Sequence, residues 1–419
     1  MRRPDLASVA RFADLAQPAG PAWLADRRAE AWSAVASGGF PGTKDEAWKY
    51  TPARRILREE VAVDAPSTTA ASDGWAVEGA VRLVFVDGQY APALSDTSAL
   101  PAGLTLRPLS EADPGDALAS VVHADAGDFA SLNLAFLTDG AYLHAGAGVQ
   151  AGPVHLVHIA TASTTRRLIA VRHVVVADAG SQLEVIEHWA GTGAHLCTAV
   201  TEVRAAADAS VVHIKLQEVD AEAHHVHRIG VHQGARSTVH SLSFALGAAI
   251  SRTEIRCLLA EPGAECTLDG LYLARGAQHV DTHTHIDHAV PDCTSHELYK
   301  GILAGRARGV FTGAVLMRPQ AQRSDTDQAN HSLLLSDDAI ANTRPQLEIH
   351  ADDVKAAHGA TVGRLDADAQ FYLQQRGLSG QEARGLLTWA FAGEIVDKVP
   401  ARCRATVEDR VRRWLEGVV

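Results

Sequence analysis

Apolar positions along the chain recur first at helical spacing, then at alternate residues, then at helical spacing again. Near the start, Leu6, Val9, Ala10 and Ala13 fall at helical intervals. Pro21 opens a second segment that places Leu24, Arg28, Ala31 and Val35 on one face. Thr43 and Glu46 form a T-x-x-E capping box for a third helix, which Thr51-Pro52 is expected to end. Trp48 and Tyr50 read as core residues of this region. Val63 to Gly74, rich in Ala, Ser, Thr and Asp, reads as a linker, so residues 1–79 form an N-terminal helical region with its linker.

From about Ala80 the period becomes two. Val81, Leu83 and Phe85 alternate up to an Asp87-Gly88 turn, and Leu132 to Val149 reads as strand–turn–strand. The segments His155–Ala160, Leu168–Val176, Leu183–His188, Val211–Val219 and Val239–Ala245 are strand-like and joined by short turns. The turns carry a weak repeat. ADAGSQLEV, AADASVVHI, QGARSTVHS and EPGAECTLD each place a small residue before a polar one and then a strand. Their small residues, Gly180, Ala209, Ala235 and Ala264, are 29, 26 and 29 residues apart. Short strands at such a period predict a solenoid whose coils stack, with a right-handed parallel β-helix the natural candidate over residues 80–363. The turns alone also fit an irregular β-sandwich.

After Gly363 helical spacing returns, over residues 364–419. Asp366 can cap a helix bearing Phe371, Tyr372 and Leu373, with Gly377 placed to end it. Ser379 and Glu382 make another capping box, followed by Ala383, Leu386, Leu387, Ala390, Phe391 and Ile395 at helical intervals. Pro400 opens a last helix with Cys403, Val407, Val411, Trp414 and Leu415 in one stripe. The fold class expected is therefore mainly β, with helical regions at both ends.

Composition narrows the functional classes. The chain of 419 residues is 47% hydrophobic and 21% charged, a globular balance. A net charge of −12 argues against a nucleic-acid or anionic-membrane surface. No apolar run approaches the ~18–20 residues of a membrane span, and the N-terminus has no secretory pattern. Five scattered cysteines without a CxxC point to a reducing compartment, and the reading is cytoplasmic.

The densest chemistry is HVDTHTHIDHAVPDCTSH, His279 to His296. On a strand, His279, Asp281, His283, His285 and Asp287 share one face, and two histidines with a carboxylate can hold zinc or iron. This supports a metal-dependent β-helix or cupin-like enzyme, set against a plain polar strand face. His224, His225 and His227 form a smaller cluster of the same kind. The acidic pairs Asp337/Asp338 and Asp352/Asp353 read as solvated turns. No GxSxG, HExxH or GxGxxG motif is present, and without GxxxxGK[ST] the chain is no P-loop ATPase. His358 stands apart in a Gly/Ala setting beside Gly359, where another backbone can approach. Glu348 and His350 lie on the preceding strand at a spacing of two and share a face there.

The stretch holding these residues, NTRPQLEIHADDVKAAHGATVG (Asn342 to Gly363), resembles the end of the core domain in the SufD family, within the SufB/SufD family of iron–sulfur cluster assembly proteins. The resemblance continues through FYLQQRG and AFAGEIVD and reaches back through HELYKGIL and RGVFTGAVLMRPQAQRSDTDQANHSLLLSD; TKDEAWKYTP resembles the family's N-terminal region. It implies the β-helix, and a non-enzymatic scaffold subunit of a SufBCD complex. It implies a heterodimer with SufB through the β-helix ends, docking of the SufC ATPase on the C-terminal helices, and a homodimer for the isolated chain. ATP would then act only through SufC. No cofactor is expected on the chain alone, while iron or a nascent iron–sulfur cluster would lie at the SufB contact. His358 matches a family histidine implicated in cluster assembly there, which would meet iron transiently. The Cys that many members carry two residues earlier is Ala356 here, so a sulfur ligand at that point must come from the partner. Leu386, Leu387 and Phe391, on a stripe in a short tail, are the expected ATPase-docking residues. SufB is the nearest alternative within the family, but a missing cysteine at the corresponding end weakens it.

Overall fold

The computed structural model describes residues 6–42, 44–63, 77–124 and 127–418. Four helices precede or interrupt the first strands: α1 (Leu6–Ala13), α2 (Ala25–Gly38), α3 (Ala53–Ile56) and α4 (Phe129–Ala135). Around α4 lie β1 (Val81–Val86), β2 (Gln89–Tyr90), β3 (Leu104–Pro108) and β4 (Ala141–Ala145). The strands that follow are β5 (Gln150–Ala160), β6 (Arg167–Ala177), β7 (Gln182–Gly191), β8 (His195–Ala205) and β9 (Ser210–Gln217). Next come β10 (His224–Gln233), β11 (Thr238–Ala245), β12 (Ile250–Leu259), β13 (Glu265–Ala274) and β14 (His279–His288). The last are β15 (Thr294–Leu303), β16 (Arg308–Met317), β17 (Ser324–Leu334), β18 (Ile340–Ile349) and β19 (Val354–Gly363). The tail contributes α5 (Ala367–Gln375), α6 (Gly380–Val396) and α7 (Ala401–Glu416).

From β5 onward successive strands alternate between two sheets, and each pairs in parallel with the strand two places away. This is a parallel β-solenoid, with one strand of every coil in a ten-stranded sheet and the other in a nine-stranded sheet. Inward positions such as Leu156, Val185, Val211, Ile229, Ile255, Leu268 and Val315 stack into one continuous core between the sheets. The recurring turn motifs in the sequence precede β7, β9, β11 and β13, so they mark one sheet only. Gly180, Asp208, Arg236, Gly263, Asp292 and Arg323 all take positive φ at equivalent turns. Where that residue is not glycine, stacked ion pairs accompany the strained backbone: Arg236 binds Asp208 at 2.8 and 2.6 Å, and Arg323 binds Asp292 at 2.7 and 2.6 Å.

A helical layer covers the outer face of each sheet. On the nine-stranded sheet, Leu24, Ala31, Val35, Trp48, Phe129 and Leu132 pack over Leu168, Leu196, Val226 and Ile250. On the ten-stranded sheet, Ile395, Val407, Val411 and Trp414 pack over Ile214, Leu242, Leu271 and Ile302. The expected face of α2 is the one used, since Leu24, Arg28, Ala31 and Val35 are all buried. Asp366 caps α5, Ser379 and Glu382 form the capping box of α6, and the buried stripe of α7 is Cys403, Val407, Val411, Trp414 and Leu415.

Several expectations need correction or fall on residues that are not described. Leu132 to Val149 is not strand–turn–strand but α4 followed by β4. The Asp128 carboxylate accepts from the backbone N–H groups of Ala130 and Ser131, and every residue of α4 is buried, so no helical period shows in its sequence. The third N-terminal helix shrinks to a single 3₁₀ turn, Glu46–Trp48, and Pro52, instead of ending it, precedes α3. Trp48 is buried while Tyr50 is only half-buried. Thr43 of the proposed capping box, and the linker beyond Val63, lie outside the described residues.

Candidate functional site: the open end of the solenoid

The last coil has no successor. β18 pairs only with β16, and β19 only with β17, so each leaves one backbone edge unpaired. The two helical layers do not cover it. Ile340, Ile349 and Val362 are 44%, 41% and 47% exposed, whereas Met317 and Ser332, the partners of Ile349 and Val362 one coil back, are buried. Along β19 the strand alternation turns Val354 and Ala356 inward, where they pack on the end of the core. His358, Ala360 and Val362 continue that inward face, but they face solvent because no coil follows.

His358 is exposed, and it pairs in register with Gln328 of the coil below. Beside it, a Cβ added at Gly359 or Gly363 would meet no atom within 4 Å, so another chain has room to come close. Glu348 and His350 bind each other at 3.0 Å. Glu348 alternates with Leu347, which packs on the core, so it faces outward and not along the inward row that holds His358. Among the described residues no hydrogen bond or ion pair joins either residue to His358. All five cysteines are buried, and none lies on β18 or β19.

The histidine-rich strand is β14. His279, Asp281, His283, His285 and Asp287 do share its outer face, but other elements occupy them. His279 Nε2 lies 2.7 Å from Thr51 Oγ1, and burial pulls the ring's pKa down to about 4. Asp281 pairs with buried Arg252 and with His283. Burial opposes the Asp281 charge, yet Arg252 and His283 outweigh it and hold the pKa below the usual carboxylate range. Arg252 in turn lies against the Trp48 ring. Asp287 binds Arg318 at 2.9 and 2.7 Å. His288 points inward to Ser295, and His296 lies on a different strand. Among the described residues no group of three or more His, Cys, Asp or Glu side chains converges to hold a metal ion. His225 and His227 sit fully buried inside the solenoid, beside Trp189, while His224 contacts the Ile56 carbonyl.

On the C-terminal layer, Leu386 is 48% exposed whereas Leu387 and Phe391 are half-buried. Lys300 lies over the Phe391 ring and pairs with Glu394, fixing α6 to β15. Sequence reasoning missed that α5 buries nothing: Phe371 and Tyr372 are 62% and 58% exposed and adjoin this surface. A groove of about 990 Å³ lies elsewhere, at Arg275, Arg410, Arg413 and Trp414.

Residues 158–391, covering the solenoid, its open end and most of α6, match the family model described as SUF system FeS cluster assembly, SufBD core domain. The chain belongs to the SufBD family. It is 31% identical to a SufBD family iron–sulfur cluster assembly protein of Synechocystis, over 93% of this chain and 90% of that protein. It is 32% identical to the iron–sulfur cluster assembly protein SufD of Escherichia coli, over 86% of this chain and 85% of that one. A SufBD family protein of Mycobacterium leprae is 30% identical, over 86% of each. As a SufBD protein the chain is a component of iron–sulfur cluster assembly, a role carried out within a complex. Among the described residues no helix is long and apolar enough to cross a membrane.

Proposed function

We propose that this SufBD protein is the SufD-type scaffold subunit of a cytoplasmic SufBCD complex, without catalysis of its own. The observation that carries the proposal is the open last coil: two bare parallel edges with an exposed apolar rim and His358 on the inward face. Free sheet edges invite strands of another chain, and a SufB-type solenoid end supplies them. His358, with Gly359 beside it and Glu348 and His350 at the rim, then lies at the contact. There the neutral imidazole can accept iron in transit or orient a thiolate, and the thiolate belongs to the partner because none is present at this end. Iron and the nascent cluster are cargo of this contact. Leu386, supported by half-buried Leu387 and Phe391 and extended by Phe371 and Tyr372 of α5, supplies an apolar surface for a SufC-type ATPase. ATP enters the cycle through that partner.

The test is the His358→Ala complex, purified and sized by chromatography, then assayed for ATP hydrolysis and cluster formation in vivo. The expected result is an intact complex with normal hydrolysis and a cluster yield lower by about tenfold or more. Wild-type cluster yield from an intact variant complex would remove His358 from the mechanism.

A further inference from the structure

Beneath His358 the inward face holds two polar residues in consecutive coils. Glu297 on β15 is in register with Gln328 on β17, and Gln328 is in register with His358 on β19. Glu297 and Gln328 are 1% and 2% exposed, in a stretch of the interior that also buries Thr326 and Asn330. Gln328 Nε2 donates to Glu297 Oε2 at 2.6 Å, which fixes the amide from below. Its Oε1, equally buried, has no hydrogen-bond partner. An orphaned buried amide oxygen is costly and calls for a donor. The space for this amide is built into the opposite sheet, because a Cβ at Gly313 would overlap it. Burial pushes the Glu297 pKa up to about 7.

We propose that Gln328 is a positioning residue for His358: its Oε1 accepts one imidazole N–H, fixes the tautomer and turns the other nitrogen outward toward the partner. A histidine that meets a metal commonly donates its second N–H to such an acceptor, which sets both ring orientation and basicity. The chain supplies that acceptor one coil down, with Glu297 holding it. This inference rests on the assembly role proposed for His358.

The test uses the full-length chain with ¹⁵N-labelled histidine, the His358 signals being those lost in His358→Ala. At a pH where the ring is neutral, one tautomer should dominate in the wild type. Gln328→Met, which keeps volume but removes the amide, should return the ring to a mixed population and lower cluster yield in the assembled complex about tenfold. Gln328→Asn withdraws the amide by one methylene and should act in the same direction; it replaces Gln328→Met if that variant does not fold. An unchanged tautomer ratio, or an undiminished cluster yield, in a folded variant overturns the proposal. If His358→Ala itself leaves cluster yield intact, the assembly role of His358 falls, while the tautomer ratio still decides whether Gln328 holds the ring.

Discussion

At its first coils the edges of the solenoid are closed by two short antiparallel strands; at its last coil two ten-residue strands end in solvent. β2 covers the edge of β1 with only two residues and β3 covers β4 with five, both too short to template another chain. Near this end α4 packs on the outer face of β6 and β8, with Asn133 donating to the carbonyls of Val171 and Thr198 across the two strands. Nothing comparable covers β18 or β19 among the described residues. A sheet edge left this long in a chain that closes its other end is the contrast on which the proposed assembly surface rests. The closed end should therefore govern stability, and the open end association.

The largest effect is expected at the closed end. Leu132, fully buried in α4, should cost about 2–5 kcal/mol of stability when changed to Ala, read by chemical denaturation. A loss below about 1 kcal/mol would mean that α4 is not an integral part of the layer over β6 and β8.

Between the two ends lies Glu297, whose burial raises its pKa from 4.5 to about 7. In that window the folded chain holds a proton that the unfolded chain has released. Its contribution to stability is thus complete below pH 4.5 and is lost as pH rises to 7, by roughly 3 kcal/mol in all. Glu297→Gln cannot titrate and should flatten the pH dependence of denaturation across this range. An unaltered slope would show that Glu297 is ionised at neutral pH without cost.

On the helical tail, Leu386→Glu should leave the fold intact and weaken binding of a SufC-type ATPase by about tenfold or more, measured by calorimetry. Unchanged affinity would place the docking surface elsewhere. The smallest effect is expected at the rim of the open end, where Val362→Ala should change the stability of the isolated chain by less than about 0.5 kcal/mol. A loss matching that of Leu132→Ala would erase the contrast between the ends.

Much of the architecture is legible in the sequence because it is written locally. The Ser379–Glu382 box, the Asp366 cap and the α7 stripe depend on neighbours three or four residues away. The turn repeat is legible for one sheet only, because its left-handed residue recurs at each coil, whereas the turns into β8, β10 and β12 share no comparable motif. α4 is hidden because a helix buried on all sides loses its period. The histidines of β14 are on the face expected, yet their meaning is set by Thr51, 228 residues away from His279, and by Arg252 and Arg318 of neighbouring coils. Gln328 and Glu297 lie in stretches that carry the family resemblance, but nothing in their local pattern marks them as a pair. They become visible only when the chain is folded at the coil period, which puts Glu297 31 residues before Gln328 and beneath it.

The central claim, that the open end is the assembly surface, is tested most directly by hydrogen–deuterium exchange of the chain alone and bound to a SufB-type partner. Free β18 and β19 should exchange quickly along their unpaired edges and become strongly protected on binding, while β2, β3 and α4 should not change. Protection at the closed end, with β18 and β19 unaltered in the complex, would contradict the account.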